Sequence, residues 1–253
     1  MPSFATYNPN SLVKAIVVGQ TGAGKTGLLS TLLKTPLIDR LLVLDFDHGL
    51  NILKSYADEK ELSKLFYQSF DKTKPDAAPN AVQLAMHWKT KEEDHGHYSS
   101  WNYKTVLVVD SLTFMGDAFI CNAEEDMKRR KDPRAAHRQA IMGEAQGNME
   151  KFVAHCFFRL PCNVIFNTHI RTVEEEGVFT GYPSTIGIAL SQRIGRYVND
   201  MWRIDHKPNK PPADRIIRTT SDRKMMLKNS APTVLNAEED FDLGKIFTKL
   251  QMV

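Results

Sequence analysis

The segment Gly19-Gln20-Thr21-Gly22-Ala23-Gly24-Lys25-Thr26, with Gly27 behind it, sets glycines, an ammonium and a hydroxyl at the spacing GxxxxGK[ST]. That spacing suits the wrapping of a polyphosphate. Glycine permits the tight turns that aim successive backbone N–H groups at anionic oxygens. A helix opening at the loop would add the positive end of its dipole. Lys25 would then reach the β- and γ-phosphates, and the Thr26 hydroxyl would coordinate Mg²⁺. Gly19, Gln20, Thr21, Gly22, Ala23, Gly24, Lys25, Thr26 and Gly27 are the expected nucleotide-binding residues. ATP and Mg²⁺ are the expected cofactors.

Such a loop needs an acid near its metal. Asp110 directly follows the apolar run Tyr103–Val109 (YKTVLVV). An acid at the carboxyl end of a buried parallel strand is where a phosphate-loop enzyme holds Mg²⁺, usually through water. Ser111 can join the same shell. The plainer reading of Asp110 is a helix cap for the segment from Leu112. Asp45 and Asp47 close a second apolar run, Arg40–Phe46. A two-residue offset puts both on one side of an extended strand, and Asp47 is expected to polarise the attacking water. The competing reading is a pair of loop acids. Asn167 and His169 end a further run, Asn163–Asn167, where a polar side chain can sense the γ-phosphate.

These positions require elements to hold them. Leu12–Val18 reads as a buried strand ending at the glycine loop. Leucines at 28, 29, 32 and 33 then give a helix over 25–34, which Pro36 stops. Helical segments are expected at 50–54, 59–65, 81–91 and 236–250, with strands at 65–70, 197–204, 215–220 and 224–228. Residues 112–158 favour helix, with a break at Asp132-Pro133. Residues 71–80, 92–102 and 171–191 read as irregular, and Lys207–Ala213 as a turn. Apolar strands alternating with helices predict an α/β fold, a mostly parallel central sheet flanked by helices. One domain over 1–253 is the simplest count, with a core at about 12–228 and a tail at 229–253.

The bulk numbers agree with a globular chain. Of 253 residues, 42% are hydrophobic and 25% charged, and the net charge is +3. That balance alone does not argue for nucleic acid. Cys121, Cys156 and Cys162 form no CxxC pair, so reduced thiols and a cytoplasmic setting are expected. Met1–Asn10 lacks the apolar stretch of a signal peptide. No apolar run approaches the ~18 residues that span a bilayer, so no membrane partner is expected.

Three segments together resemble a known group. LLVLDFDHGLN resembles the RecA-type segment in which an acid two residues beyond an Asp activates water, which implies Asp47 as the catalytic acid. That group usually has Glu there, so Asp is a departure. TVLVVDSLTFM resembles the RecA-type Walker B strand and implies metal roles for Asp110 and Ser111. NVIFNTHIR resembles the strand before the DNA-binding second loop, and implies Asn167 or His169 as the nucleotide sensor, where Gln is more usual. Over residues 12–228 the layout is similar to the core-only, RecA-like P-loop ATPases of phages, which are AAA-type nucleotide-binding proteins. Some of these act in recombination and single-strand annealing. The resemblance implies an oligomeric ring or filament on single-stranded DNA in a bacterial cytoplasm, with a phage single-strand-binding protein as a further partner.

Basic residues offer a DNA surface. Lys128, Arg129, Arg130, Lys131, Arg134 and Arg138 stand against one acid, Asp132, within Met127–Arg138. Such a patch can neutralise phosphates. A solvated helix face, balanced by Glu124-Glu125-Asp126, is the plainer reading. Arg171, Phe179 and Tyr182 lie in the 171–191 segment, where ring stacking on bases would be sequence-tolerant. Glu174-Glu175-Glu176 would repel phosphate there, so a lid or subunit contact is the alternative. Arg223 or Lys224, near Arg215 and Arg218, is a candidate for insertion into a neighbour's ATP site; plain surface charge is the alternative. His87, His95, His97 and Trp101 invite a zinc reading, but no Cys or close His pair completes a tetrahedral site. A P-loop kinase, and a DNA-binding module merely stabilised by nucleotide, stay open. A GTPase would need an Asn-Lys-x-Asp motif, and none is present.

Overall fold

The computed structural model describes residues 12–206 and 214–251. The turn expected at Lys207–Ala213 and the N-terminal stretch Met1–Asn10 lie outside them. In chain order the elements are β1 (Lys14–Val18), α1 (Lys25–Leu28), α2 (Ser30–Lys34), β2 (Arg40–Asp45), α3 (Glu59–Leu62), β3 (Leu65–Ser69) and α4 (Ala77–Met86). Then come β4 (His87–Lys89), β5 (Asp94–His97), β6 (Thr105–Asp110), α5 (Leu112–Arg129), α6 (Arg138–Arg159), β7 (Asn163–Thr168), β8 (Ile170–Glu175) and β9 (Val178–Pro183). The chain continues with α7 (Gly187–Arg193), β10 (Asp200–His206), β11 (Arg215–Arg218), β12 (Glu238–Asp240) and α8 (Leu243–Gln251).

The main sheet has eight strands in the order β12-β11-β10-β1-β7-β6-β2-β3. The six strands from β10 to β3 pair in parallel, and β11 and β12 add antiparallel at one edge. Strands β1, β6 and β7 are buried along their whole length. A strand covered on both faces reads as a continuous apolar run, which is why these three stand out in the sequence. Alternation then sorts their side chains. Ile16 and Val18 join the core under α4, α5 and α6, while Ala15 and Val17 join the core under α1, α2 and α8. Each fully buried Leu or Phe in these layers contributes roughly 1.5–3 kcal/mol. The sheet ends are therefore held by two packed faces. All the parallel strands point their carboxyl ends the same way, so the glycine loop, Asp45, Asp110 and Asn167 meet at one edge.

Several expected elements differ. The helix over 25–34 is formed as α1 and α2, joined through Leu29. The helix expected at 81–91 is α4, which starts at Ala77 and ends at Met86, where β4 begins. Part of the expected irregular stretch 92–102 is β5, paired with β4. Residues 171–191 form a β8–β9 hairpin and α7 rather than a loop. The hairpin turns at Glu176 and Gly177, with φ of 52° and 78°. Two positive φ values in a two-residue turn match the right-handed twist of the flanking strands. The strand expected at 224–228 makes only isolated bridges, Met225 to Gly181 and Lys228 to Met201. The closing helix starts at Leu243, behind a short strand, and packs Ile246 and Phe247 into the core.

The hairpin carries a test. Glu176 sits in the left-handed region, which Asn tolerates better than Glu. Glu176→Asn should raise stability by about 0.5–1 kcal/mol in urea unfolding. No gain, or a loss, would contradict this turn.

Candidate nucleotide site

The glycine loop leaves β1 and is tied to the next strand, because Gly19 N donates to Thr168 O at 3.1 Å. Gly22 and Gly24 adopt φ of 77° and 94°, where a side chain is strained. Leu28 N donates to Gly24 O at 2.8 Å and opens α1. Gln20 and Thr21 are exposed, while Ala23 is buried. Lys25 is buried, and its Nζ donates to Gly19 O at 3.0 Å and Gln20 O at 3.1 Å. Burial lowers its pKa, against the opposing charges of Asp110 and Asp47. The ammonium thus lies folded back over its own loop.

Thr26, Asp110 and Asn167 form one hydrogen-bonded group. Thr26 Oγ1 donates to Asp110 Oδ2 at 2.7 Å, and Asn167 Nδ2 donates to Asp110 Oδ1 at 3.1 Å. Asp110 is fully buried. Burial pushes its pKa up to about 6; the Thr26 and Asn167 bonds oppose this, and the charges of Asp47 and Asp45 add to it. It caps no helix: Ser111 is the N-cap of α5, and the Ser111 Oγ is itself buried without a partner. A hydroxyl and a carboxylate side by side, with anionic character to neutralise, fit a hard divalent cation. Thr26 and Asp110 are the residues that would hold Mg²⁺.

The two acids after β2 part company. Asp45 is buried, and its carboxylate accepts His48 N at 2.8 Å and Ser69 Oγ at 2.9 Å. It fastens the turn. The strand ends at Asp45, so strand alternation does not orient Asp47. Instead Phe46 N and Asp47 N donate to Asp110 O at 2.6 and 3.1 Å, and His48 takes φ 55°. That turn leaves Asp47 half-buried, close enough for its charge to act on Lys25, Asp110 and His169.

His169 sits on the other side of the loop. Its Nδ1 lies 3.5 Å from Lys25 Nζ and 3.4 Å from Thr21 Oγ1, and its Nε2 is buried without a partner. Burial lowers its pKa, and the nearby Lys25 and Lys72 charges lower it further against Asp47. Asn167 therefore touches the metal-side acid, and His169 touches the phosphate-side lysine. Two neighbours of the loop went unassigned in the sequence: Arg215, whose Nη2 donates to Gly22 O at 3.3 Å, and Tyr56, whose ring covers Gly27. Strand pairing and a chain-distant turn bring them there, so no local pattern announces them.

The other candidate residues lie apart. Lys128, Arg129, Arg130 and Arg134 pair with Glu124, Asp126, Glu144 and Asp132 at 2.6–2.7 Å. They sit at the far end of α5, about 25 Å from Asp110 by helix rise. Arg171 and Tyr182 face each other across the hairpin, and Phe179 near its tip is 61% exposed. Arg223 and Lys224 are exposed, beside β9 through the bond from Gly181 N to Lys224 O. His87 and Lys89 hold Asp94, and among the described residues no cluster of three or more His, Cys, Asp or Glu could hold a metal. A cavity of about 920 Å³ runs along β3 and takes in none of the glycine-loop residues. Among the described residues no helix is long and apolar enough to cross a membrane. The three cysteines are free.

A glycine loop at the end of β1, with a buried acid bonded to its threonine, agrees with a family match over residues 11–231 to AAA_24, an AAA domain. The chain belongs to this family of AAA domains. It is an α/β P-loop protein with a mostly parallel central sheet flanked by helices. No curated protein matches it. Among solved structures it is similar to an ATPase of the type III secretion system of pathogenic bacteria, at 13% identity and a TM-score of 0.45, covering 80% of this chain and 56% of that one. It is also similar to the RadB recombinase, at 17% identity and TM-score 0.43, covering 83% and 81%. A third is flagellar accessory protein FlaH from Methanocaldococcus jannaschii, at 13% identity and TM-score 0.43, covering 91% and 84%. The chain thus spans 56% of the length of the secretion ATPase.

The raised Asp110 pKa makes a stability prediction. The unfolded carboxyl titrates near ~4, so the fold holds the extra proton between about pH 4 and 6. This stabilising contribution is complete below that window and is lost as pH rises through about 6. Asp110→Asn escapes the loss. Without nucleotide, the variant should melt a few degrees (~2–4 °C per kcal/mol) above the parent in neutral buffer, with a gap that shrinks in acid. A gap independent of pH would contradict the assignment.

Proposed function

We propose that the chain is a RecA-like ATPase that hydrolyses ATP with Mg²⁺ and couples turnover to DNA. The observation that carries the reading is the bonded group Thr26, Asp110 and Asn167 beside Lys25, with Asp47 and His169 on either side. Lys25 leaves the carbonyls of Gly19 and Gln20 for the β- and γ-phosphates, and the loop amides bind the same oxygens. Thr26 and Asp110 would hold Mg²⁺, which would supply neutralisation of the phosphate charge. Asp47 orients water for attack on the γ-phosphate. His169 loses its lysine neighbour as phosphate arrives, and Asn167 follows Asp110.

The response has a short path outward. β8 begins at Ile170, directly after His169, so a shift at the loop reaches the β8–β9 hairpin. Arg171, Tyr182 and the exposed Phe179 are the hairpin's candidate contacts to single-stranded DNA. Lys128, Arg129, Arg130 and Arg134 supply a second phosphate-binding patch, weakened by their acid partners. Arg223 and Lys224, exposed beside the same hairpin, are the candidates for reaching a neighbour's site in a ring or filament. Phage DNA recombination or annealing in a bacterial cytoplasm, with a single-strand-binding protein nearby, is the setting this reading favours. The free thiols are consistent with a reducing compartment.

Steady-state ATP hydrolysis with Mg²⁺, with and without single-stranded DNA, tests the proposal. Lys25→Ala and Asp47→Asn should each lower turnover by about 100-fold or more, and DNA should stimulate the parent only. Turnover indifferent to DNA would remove the DNA coupling. ATP binding with no turnover would leave a nucleotide-stabilised binding module.

A further inference from the structure

His169 has two kinds of support. Its backbone is fixed: His169 N donates to Thr113 Oγ1 at 3.0 Å, and Ser184 N donates to His169 O at 2.8 Å. Its ring is held by side chains. Nδ1 lies 3.5 Å from Lys25 Nζ and 3.4 Å from Thr21 Oγ1. The Phe114 ring meets the imidazole edge-on, with centroids 5.6 Å apart. A triphosphate that draws Lys25 off its own loop removes the first of these contacts. Phe114 stays, so a group that fixes Phe114 also fixes the imidazole.

Phe114 is itself covered by a cation. Lys72 Nζ lies 3.5 Å from the centroid of the Phe114 ring and 3.3 Å from Asp117 Oδ2. Residues 114 and 117 are three apart in α5 and share a face, so one ammonium spans both. An ammonium over a ring face is attracted by the ring quadrupole, more so where water is thinned out. Lys72 and Phe114 are both half-buried. The ion pair adds less, because Asp117 is exposed. The segment that carries Lys72 is shaped to present it. Asp71 Oδ1 accepts Thr73 N at 2.9 Å and Thr73 Oγ1 at 2.7 Å, closing a tight turn soon after β3. Further along α5, Cys121 Sγ donates to Thr73 O at 3.2 Å and Asn122 Nδ2 donates to Pro75 O at 2.9 Å. The turn is thus tied down along the helix, with Lys72 at the end nearest His169.

Resting on the phosphate-loop reading above, we propose that Lys72 is a positioning residue for ATP turnover: stacked on Phe114, it holds the His169 imidazole beside the glycine loop once Lys25 has moved to the phosphates. Lys72 acts through Phe114 and His169, not on the ligand. Its loss therefore leaves nucleotide binding intact and slows the step that follows.

Steady-state ATP hydrolysis with Mg²⁺ and single-stranded DNA, beside calorimetric titration with a non-hydrolysable ATP analogue, tests this on the full chain. Lys72→Met, which keeps the length of the side chain and loses the charge, should lower kcat about 10-fold and leave analogue affinity within about twofold. Lys72→Arg, still a cation that stacks on a ring, should recover most of the rate. His169→Ala should lower kcat at least as far as Lys72→Met. Adding Lys72→Met to His169→Ala should cost less than about twofold more, because both act through one line of contacts. An unchanged rate in Lys72→Met would overturn the role, and so would losses that multiply in the double variant. Loss of analogue affinity in step with the rate would put Lys72 on the ligand and overturns it too. Each of these results leaves the phosphate-loop reading standing while Lys25→Ala is inactive. A parent without turnover removes the ATPase reading and this role together.

Discussion

A single hydrogen bond, from the Thr26 hydroxyl to the Asp110 carboxylate, joins the phosphate-loop helix to the centre of the sheet. It links residues 84 positions apart in the chain. It exists because β1 and β6 flank β7 and end at the same edge. The carboxylate is buried there at a cost, which its raised pKa records. Asn167, the Thr26 hydroxyl and the backbone N–H groups of Phe46 and Asp47 all converge on the same residue. A buried acid so placed is poor material for stability and good material for a cation site.

Much of this was legible in the chain. Buried parallel strands must be apolar throughout, so β1, β2, β6 and β7 declared themselves, and the residues at their carboxyl ends followed. The glycine loop carries its own backbone logic. What stayed hidden depends on the third dimension. Asp45 and Asp47 look equivalent on paper, and only the turn at His48 makes one a fastener and leaves the other near Lys25. The β8–β9 hairpin was hidden by its polar composition and by a Glu in a left-handed turn position. Arg215 and Phe241 reach the loop through antiparallel pairing at the far edge of the sheet, which no spacing encodes.

The charged surfaces divide by position. The basic corner between α5 and α6 is strong in sequence, but four of its six basic residues are paired with acids in place. The hairpin shows the reverse: acidic at Glu174, with Val178 and Phe179 exposed beside it. Of the two, only the hairpin is continuous with the strand that carries Asn167, through His169 at its end. The proposed coupling between nucleotide and DNA would therefore run through the hairpin, whereas the basic corner lies at the opposite end of α5.

On the proposed function, Lys25, Thr26 and Asp110 hold a triphosphate and its metal at this strand edge. A crystal structure with Mg²⁺ and a non-hydrolysable ATP analogue tests it most directly. Lys25 Nζ should be found moved from the Gly19 carbonyl onto phosphate oxygen, with the metal about 2.0–2.1 Å from Thr26 Oγ1 and Asp110 in its shell. A triphosphate bound elsewhere, or bound here with Lys25 still on Gly19 and the Thr26–Asp110 bond intact, would contradict it.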